Sequence, residues 1–485
     1  MNLEIVEKIE NFIGGAFLAP TLGEYIPNIN PATGQEYSKT PNSTKEDVDL
    51  AVAAAKKAFP DWKNTSLDTR FRLMNRVADL IEEYAPQLVL AESIDNGKPY
   101  TLAEKVDIPR AADNFRFFAT ALMHTSTDAH QMSENVMHYT VKQALGVVAC
   151  ISPWNLPLYL FTWKIAPALA TGNCVVAKPS EVTPMTAYLL AKIVKEAGFP
   201  DGVLNIIHGT GPDCGSELVK HPDVKAISFT GSTRAGREIA GIAAKDFKKY
   251  SLELGGKNPN IIFEDCDWEK MLKTTVHSSF SNQGQICLCG SRILIQSSIY
   301  EKFKKDFIAA AAKIKPMDPL NPKAKMGAIV SEAHYNKILN AINTAKEEGG
   351  LILLGGKASK LEGKHANGYF IEPTIIEGLD AKCKTNQEEI FGPVVTLQTF
   401  ETEEEALALA NDSTYGLSAT LWTNDLQRAH RLAHKIEAGM IWVNTWLLRD
   451  LRTPFGGIKN SGVGREGGWY AMDFFTEEKN ITIPF

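Results

Sequence analysis

Short apolar runs alternate with amphipathic stretches along most of this 485-residue chain. Between residues 146 and 229, four such runs are separated by segments whose apolar residues recur at helical spacing. Strands that are apolar on both faces and alternate with helices are typical of a parallel sheet covered on both sides, so we predict an α/β fold. A second alternation, from 259–263 to 438–444, predicts a second doubly wound parallel sheet. The four runs are 146–151, 174–177, 202–207 and 224–229.

Helices are predicted where apolar residues recur every three or four positions. Ser43, with Glu46 three residues later, has the pattern of a capping box and predicts the start of the first helix. Residues 14–35 are rich in Pro, Gly, Thr and Asn and predict an irregular arm. Two segments, 123–142 and 474–485, alternate polar and apolar residues as half-buried strands do. The predicted helices are 44–58, 70–84, 104–121, 186–197, 215–220 and 267–281, and a further strand is predicted at 292–296.

Composition excludes several classes of protein. The chain is 44% hydrophobic and 22% charged, as globular proteins are, and we expect two or three domains because single cores stop growing near about 300 residues. A net charge of −6, with dispersed Lys and Arg, argues against a nucleic-acid partner. The cysteines show no zinc spacing, and no apolar run is long enough to span a membrane. We therefore expect no metal, no membrane partner and, because scattered cysteines indicate a reducing compartment, a cytoplasmic location.

Three short motifs carry the groups that one kind of catalysis needs. Glu253 lies in the run SLELGGK at 251–257, and Cys287 ends the run QGQIC at 283–287. A thiol can form a covalent acyl-enzyme, and a carboxylate can activate the water that hydrolyses it. Asn155, in the run PWN, offers an amide that can stabilise an oxyanion. Taken singly, each has a plain structural alternative: a core cysteine, a solvated Glu or a turn Asn.

Together and in this order, the three motifs resemble those of the aldehyde dehydrogenase superfamily, and the resemblance covers most of the chain, from Gly14 to Thr482. It implies that Cys287 is the nucleophile, Glu253 the general base and Asn155 the oxyanion donor, helped by the backbone amide of Cys287. It also implies NAD as the cofactor and an aldehyde as the substrate. All three groups together favour an enzyme over a non-catalytic protein of the same fold. Glu253 favours hydrolysis over transfer of the acyl group to coenzyme A.

The resemblance also implies how the chain is organised, as two doubly wound parallel-sheet domains and a small β oligomerisation arm. The domains would be an NAD-binding domain (1–122 and 145–255) and a catalytic domain (256–455). The arm would consist of 123–144 and 468–485, and through it the chain would form a homodimer or a homotetramer.

The surroundings of the catalytic groups can be predicted as well. We expect a helix or loop dipole to lower the pKa of the Cys287 thiol, because the thiolate is the reactive form. Partial burial should raise the pKa of Glu253 toward neutrality, as a general base requires. Cys289 would lie on the same face of a strand as Cys287, as a bystander or an auxiliary thiol. Gly255 and Gly256 predict a close approach of two backbones.

Several loops after predicted strands are candidates to hold the cofactor. The glycines of 209–215 depart from the spacing of dinucleotide-binding loops and give a weak signal. Ser232 precedes a predicted helix, where it is either a simple N-cap or part of a pyrophosphate site. Lys178 and Glu181 are placed to hold the ribose hydroxyls of adenosine, and the alternative is a surface ion pair. A carboxylate at that place would repel a 2′-phosphate, which favours NAD over NADP.

By the resemblance, Glu389 holds the nicotinamide ribose and Phe391 packs beside the ring. Without the resemblance, this segment would be an acidic turn followed by a core Phe. The complete predicted set of cofactor-binding residues is Ile151, Ser152, Pro153, Trp154, Lys178, Ser180, Glu181, Gly211, Gly215, Phe229, Thr230, Gly231, Ser232, Leu254, Glu389 and Phe391.

Substrate specificity depends on loops, and three segments resemble one branch of the superfamily. Residues 107–118, 152–158 and 446–449 are similar to those of the muconic semialdehyde dehydrogenases of kynurenine-type and aromatic ring catabolism. This implies 2-aminomuconate 6-semialdehyde or its 2-hydroxy analogue as the substrate. Both carry a carboxylate at the end opposite the aldehyde, and the resemblance assigns its binding to Arg110 and Arg449.

Two alternatives stay open at this stage. Arg116 and Arg452 are rivals for the carboxylate, and the structural alternative for each arginine is a solvated or salt-bridged surface residue. The other substrate class is a neutral or cationic aldehyde such as betaine aldehyde, whose binding sites favour aromatic cages and acidic residues over arginines.

Overall fold

The computed structural model of the protein describes residues 3–485. The strands are β1 Asn11–Ile13, β2 Ala16–Leu18, β3 Tyr25–Asn30, β4 Gln35–Pro41, β5 Ala129–Ser133, β6 Val136–Ala144, β7 Val147–Ile151, β8 Cys174–Lys178, β9 Leu204–Ile206, β10 Val224–Thr230, β11 Lys249–Glu253, β12 Asn258–Ile262, β13 Gly290–Gln296, β14 Leu351–Leu354, β15 Thr374–Glu377, β16 Val394–Phe400, β17 Tyr415–Gly416, β18 Ser418–Trp422, β19 Met440–Val443, β20 Ile458–Lys459, β21 Gly462–Val463 and β22 Thr476–Pro484.

The α-helices are α1 Lys45–Lys63, α2 Leu67–Glu83, α3 Ala85–Asn96, α4 Tyr100–Leu102, α5 Ile108–Leu122, α6 Pro157–Ala170, α7 Met185–Glu196, α8 Ser216–Lys220, α9 Thr233–Lys245, α10 Trp268–Phe280, α11 Tyr300–Ala311, α12 Glu332–Glu347, α13 Lys384–Gln387, α14 Glu403–Asn411, α15 Leu426–Lys435 and α16 Gly468–Phe474. Two turns are π-helical, Ala103–Asp107 and Gly211–Gly215, and three are 3₁₀-helical, Ser281–Gly284, Ser297–Ile299 and Gly363–His365.

The first sheet has the order β2-β1-β9-β8-β7-β10-β11-β21. The five strands from β9 to β11 are parallel, and antiparallel strands close both edges. Within the parallel part the chain starts at β7, runs outward to β9, and then returns to β10 on the other side. The loops that follow β7 and β10 therefore diverge, and ligands bind at such a crevice in doubly wound sheets. The predicted α/β fold is confirmed for this part of the chain.

The second sheet has the order β14-β15-β16-β13-β12-β18-β19, and only β14 runs antiparallel. Its strands are covered on both faces. Ile293 and Ile295 of β13 pack into one apolar cluster with Phe303 and Phe307 of α11, whereas Leu294 packs into another on the opposite face. The second predicted sheet is thus also present, and β12 follows β11 directly through the segment that contains Gly255 and Gly256.

A third, three-stranded antiparallel sheet consists of β5, β6 and β22. β22 pairs with β6 along its whole length, from Thr476 opposite Ala144 to Pro484 opposite Val136. Helix α16, which precedes β22, instead buries Ala471 in the core of the first sheet. The strand that joins the arm therefore begins at Thr476, later than the predicted start at 468.

Two predictions about the beginning of the chain are wrong. The segment 14–35 is not an irregular arm, because it contains β2, which extends the first sheet, and β3, which pairs with β4. The first helix is capped one residue later than predicted. Thr44 is its N-cap, and the Asp47 carboxylate accepts a hydrogen bond from the Thr44 amide over 3.1 Å. Ser43 is instead buried and accepts a hydrogen bond from the Asn11 side chain over 2.7 Å.

Within residues 3–485, no helix is both long and apolar enough to cross a bilayer.

Candidate active site

Asn155 and the segment before Cys287 come from different sheets and hold each other in place. Asn155 follows β7, and its Nδ2 atom donates to the Gln285 carbonyl over 3.0 Å. In return, the Asn282 Nδ2 atom donates to the Asn155 carbonyl over 3.0 Å. Asn155 is buried, and one of the two hydrogens on its amide nitrogen is used by Gln285. The other hydrogen remains available to an oxyanion formed near Cys287.

The segment that leads to Cys287 has a backbone that side chains must stabilise. Asn282 and Gln283 lie in the left-handed region, with φ of 50° and 56°, and Gly284 follows with φ of 69°. Such values are unfavourable for residues other than Gly. The Gln283 side chain donates a hydrogen bond to the Ala328 carbonyl over 3.0 Å and accepts one from the Gly327 amide over 3.0 Å. These buried bonds offset the strain and fix the turn.

Cys287 and Cys289 lie in a turn and not on a strand, because β13 begins only at Gly290. The turn is closed by the Cys289 amide, which donates to the Ile286 carbonyl over 3.0 Å. The predicted common face is therefore wrong. Cys287 lines the large cleft described below, whereas Cys289 is buried behind it and only borders a smaller cavity.

The pKa of the Cys287 thiol is raised, and the expected lowering is wrong. Burial is the main cause, and the carboxylates of Glu389 and Glu253 add to it, with Arg449 opposing them weakly. Burial also raises the pKa of Cys289 to about 12. These surroundings disfavour the thiolate of Cys287, and nearby positive charge would favour its ionisation.

Glu253 ends β11 and is 3% exposed. Neither of its carboxylate oxygens has a hydrogen-bond partner among the residues that the structure describes. Burial raises the pKa of Glu253 well above its usual value, and the neighbouring Glu466 raises it further, against the positive charge of Lys164. The predicted direction is confirmed, and a carboxylate with a raised pKa is a stronger proton acceptor when ionised.

Lys164 and Glu466 form a buried ion pair beside Glu253 that the sequence analysis missed. The Lys164 Nζ atom lies 2.6 Å from Glu466 Oε1, and the Ser228 hydroxyl donates to the same oxygen over 3.2 Å. The sequence did contain a signal that Lys164 is unusual, because it is the one charged residue of the largely apolar helix α6. Glu466 lies in a short turn-rich segment that gave no comparable signal.

Gly255 and Gly256 are required by close contacts. A Cβ atom on Gly255 would lie 2.3 Å from the Glu389 carboxylate, and one on Gly256 would lie 3.0 Å from the Cys287 carbonyl. The Gly256 amide donates to Glu389 Oε1 over 2.9 Å. The predicted close approach is present, and it brings Glu389 next to the nucleophile.

A cleft of about 690 Å³, part of it open to solvent, brings many of the predicted residues together. Its lining residues are Pro153, Trp154, Asn155, Thr230, Gly231, Ser232, Leu254, Gly255, Cys287, His334, Lys337, Glu389 and Phe391. The rings of Trp154 and Phe391 meet edge to face at 5.2 Å. His334, which sequence analysis missed, bonds through Nε2 to the Phe391 carbonyl over 2.7 Å and supports its left-handed backbone, φ 61°. His334 and Lys337 lie on an ordinary amphipathic helix, which explains the lack of a signal.

The residues predicted to bind the adenosine end of NAD do not line this cleft. The Lys178 Nζ atom is 3.5 Å from Glu181 Oε2, and the Lys178 side chain is nearly fully buried, so this pair is not an ordinary surface ion pair. Ser180 is buried beside it. Gly211 and Gly215 bound a π-helical turn, and a Cβ on Gly215 would lie 3.6 Å from the Lys178 side chain.

The remaining predicted cofactor residues lie at the crevice of the first sheet. Ile151 and Phe229 are paired at the ends of β7 and β10, and Ser152 follows Ile151 with a buried hydroxyl. Ser232 is the N-cap of α9 and accepts the Ala235 amide over 3.2 Å, which confirms the plainer of its two interpretations. Because Ser232 also lines the cleft, the N-terminus of α9 faces it.

The two predicted substrate arginines converge on Tyr159. Arg449 Nη1 donates to the Tyr159 hydroxyl over 2.9 Å, and the Arg110 guanidinium lies 5.7 Å from the centre of the Tyr159 ring. Neither forms an ion pair with a carboxylate in residues 3–485, although the charge of Arg110 contributes weakly to lowering the pKa of Asp450.

The rival arginines are paired on the surface. Arg116 bonds to Asp79 and Glu82, and Arg452 bonds to Asp450. These contacts leave Arg110 and Arg449 as the arginines of this group that are free to bind a carboxylate.

The whole chain matches a known family. The model of the aldehyde dehydrogenase family matches residues 17–481. The chain belongs to the aldehyde dehydrogenase family. It is 50% identical, over 98% of each chain, to a 2-aminomuconic semialdehyde dehydrogenase of Danio rerio. It is 44% identical to a 2-hydroxymuconic semialdehyde dehydrogenase of Pseudomonas sp. (strain CF600), over 99% of this chain and 100% of that one. The NAD⁺ complex of an aldehyde dehydrogenase from Bacillus cereus superposes with a TM-score of 0.96 at 38% identity over the full length of both chains.

Replacing Cys287 with Ala should reduce aldehyde oxidation by roughly 10⁴-fold or more, because the nucleophile precedes every chemical step. Cys289→Ala is the matched control and should keep most of the activity, since Cys289 lies behind the cleft. NADH absorbance during turnover measures both variants. A large loss in Cys289→Ala with activity retained in Cys287→Ala would transfer the role to Cys289.

Replacing Glu466 with Gln should shift the acidic limb of the kcat–pH profile to lower pH. The change removes a carboxylate that raises the pKa of Glu253 and leaves the positive charge of Lys164, so Glu253 ionises at lower pH. A general base acts only when ionised, so activity should persist further into acid. Steady-state kcat from about pH 5 to about pH 9 tests this. Glu477→Gln, at an exposed acid of β22, is the control. An unshifted limb, or one shifted to higher pH, would contradict this account of Glu253.

Proposed function

We propose that this protein oxidises 2-aminomuconate 6-semialdehyde, or its 2-hydroxy analogue, to the corresponding dicarboxylate with NAD as the cofactor. The observation that carries the substrate proposal is the convergence of Arg110 and Arg449 on Tyr159, with no carboxylate paired to either within residues 3–485. Both guanidinium groups are partly exposed and form no ion pair within residues 3–485, so a ligand carboxylate can bind to them. The names of the two muconic semialdehyde relatives agree with such a ligand.

The residues at the cleft suit a dinucleotide. The N-terminus of α9 faces the cleft, and helix N-termini bind phosphate through free amides and the helix dipole. The Thr230 hydroxyl is buried beside it without a partner among the described residues. Lys178 and Glu181 would hold the adenosine ribose, and Glu181 would repel a 2′-phosphate, which favours NAD over NADP. Glu389 and Phe391 would hold the nicotinamide end.

The catalytic residues then have separate tasks. Cys287 loses its thiol proton to water in the solvent-open cleft and attacks the aldehyde carbon. The free hydrogen of the Asn155 amide, with the backbone amide of Cys287, stabilises the oxyanion that forms. NAD, when bound, would supply the acceptor for the hydride that leaves the tetrahedral carbon, and the thioester of Cys287 would remain. Glu253 takes a proton from the water that hydrolyses the Cys287 thioester, and its raised pKa suits that role.

The assembly and location belong to the same proposal. We propose that β5, β6 and β22 form an oligomerisation arm, through which the chain is a homodimer or a homotetramer, and that it acts in the cytoplasm. Two exposed apolar side chains on this sheet, Met132 and Ile483, and Phe485 directly after it support an interface there. The region 1–122 with 145–255 would bind NAD, and 256–455 would carry the nucleophile.

Arg110→Ala and Arg449→Ala should each raise KM for 2-hydroxymuconate 6-semialdehyde by roughly 10- to 100-fold, the loss of a charge-assisted hydrogen bond. Turnover of a neutral aldehyde such as propionaldehyde should change little, because it offers no carboxylate. Arg452→Ala, at an exposed arginine already paired with Asp450, is the matched control and should leave both substrates unaffected. NADH absorbance, with and without coenzyme A, gives all the rates.

Two results would contradict this proposal. Equal losses on both aldehydes would show that the arginines support the fold and do not bind a carboxylate. A dependence of turnover on coenzyme A would show that the acyl group is transferred and not hydrolysed.

A further inference from the structure

Tyr159 lies where the two candidate substrate arginines meet. It occupies the first turn of α6, one helical turn beyond Asn155. Its hydroxyl accepts a hydrogen bond from Arg449, and its ring lies beneath the Arg110 guanidinium. The side chain is buried, at 7% exposure, although it ends in a polar group.

The hydroxyl hydrogen of Tyr159 has no acceptor among residues 3–485. A phenol can donate one hydrogen bond and also accept, whereas a guanidinium only donates. The contact with Arg449 therefore uses the acceptor side of the hydroxyl and leaves the O–H free. A buried donor without an acceptor is costly unless a ligand or water satisfies it.

The contacts of Arg449 place it, and the Tyr159 hydroxyl bonded to it, near the reaction centre. The Arg449 guanidinium stacks on Phe455, 4.0 Å from the ring centre, and faces Trp163 at 5.3 Å. Phe455 belongs to the same apolar cluster as Cys287. The charge of Arg449 also opposes the rise in pKa of both Cys287 and Glu253, which places it within electrostatic reach of both. Tyr159 is thus linked through Arg449 and Phe455 to the cluster that contains Cys287.

We propose that the Tyr159 hydroxyl is a third donor to the substrate carboxylate, beside the guanidinium groups of Arg110 and Arg449. This inference rests on the proposed function, because it requires a substrate that carries a carboxylate. Donation from Arg449 polarises the phenol, so its O–H bond to a carboxylate oxygen is strengthened.

The third donor would add specificity that two cations alone do not provide. Flexible guanidinium groups attract any anion, whereas a hydroxyl on a helix sets the distance between the carboxylate and Cys287. A site built to bond a polar substrate group discriminates strongly against substrates that lack it. The structural alternative is that Tyr159 serves only to orient Arg449.

Tyr159→Phe removes the hydroxyl and keeps the ring beneath Arg110. We expect KM for 2-hydroxymuconate 6-semialdehyde to rise roughly 10-fold with little change in kcat, and KM for propionaldehyde to stay the same. The same substitution made in the Arg449→Ala variant should raise KM again by several-fold, because a direct donor still reaches the carboxylate without Arg449. Tyr139→Phe removes a hydroxyl from β6 and is the control.

Each result of this cycle has a defined meaning. If the effect of Tyr159→Phe vanishes once Arg449 is Ala, Tyr159 only positions Arg449 and the donor assignment is overturned. Equal losses on propionaldehyde, or no effect on the semialdehyde while Arg449→Ala has one, also overturn it and leave the proposed function standing. If Arg449→Ala itself fails to separate the two aldehydes, the proposed function fails, and this inference fails with it.

Discussion

The active site depends on two hydrogen bonds that join the two sheets. Asn155 follows a strand of the first sheet, and Cys287 follows a strained turn that leads into the second. Asn155 donates to the carbonyl of Gln285, and Asn282 donates back to the carbonyl of Asn155, both over 3.0 Å. An oxyanion donor is effective only when its distance from the reacting carbon is fixed before the reaction. These bonds fix it while leaving one amide hydrogen of Asn155 free.

Buried charge is the second feature of the site. The carboxylates of Glu253 and Glu389 raise the pKa of the Cys287 thiol, and the carboxylate of Glu466 raises the pKa of Glu253. Lys164 pairs with Glu466, and Arg449 partly offsets the rest. Burial and these carboxylates together raise the pKa of the Cys287 thiol and so disfavour the thiolate. The same burial makes Glu253 basic enough to deprotonate water once it is ionised.

Much of the fold and of the catalytic set could be predicted from sequence, for identifiable reasons. Strands buried on both faces read as continuous apolar runs, so β7, β8, β10 and β13 were found close to their observed bounds. Motifs that combine reactive groups with glycine, such as Glu253 with Gly255, correctly predicted the close contact at this segment, and Asn155 and Cys287 line one cleft with Gly255.

The predictions that failed concern features that depend on contacts between distant segments of the chain. The pKa of Cys287 was predicted in the wrong direction, because local dipoles are outweighed by burial and by carboxylates from other parts of the chain. The role of His334 depends on the backbone of Phe391, which its own helix does not reveal.

The central claim is that Cys287 carries the acyl group and Glu253 serves only its hydrolysis. Rapid mixing of Glu253→Ala with NAD and aldehyde, followed by mass spectrometry of the peptide that contains Cys287, tests this directly. The account predicts a burst of one NADH per active site and an acyl adduct on Cys287. Absence of the burst, or an adduct on Cys289, would contradict it.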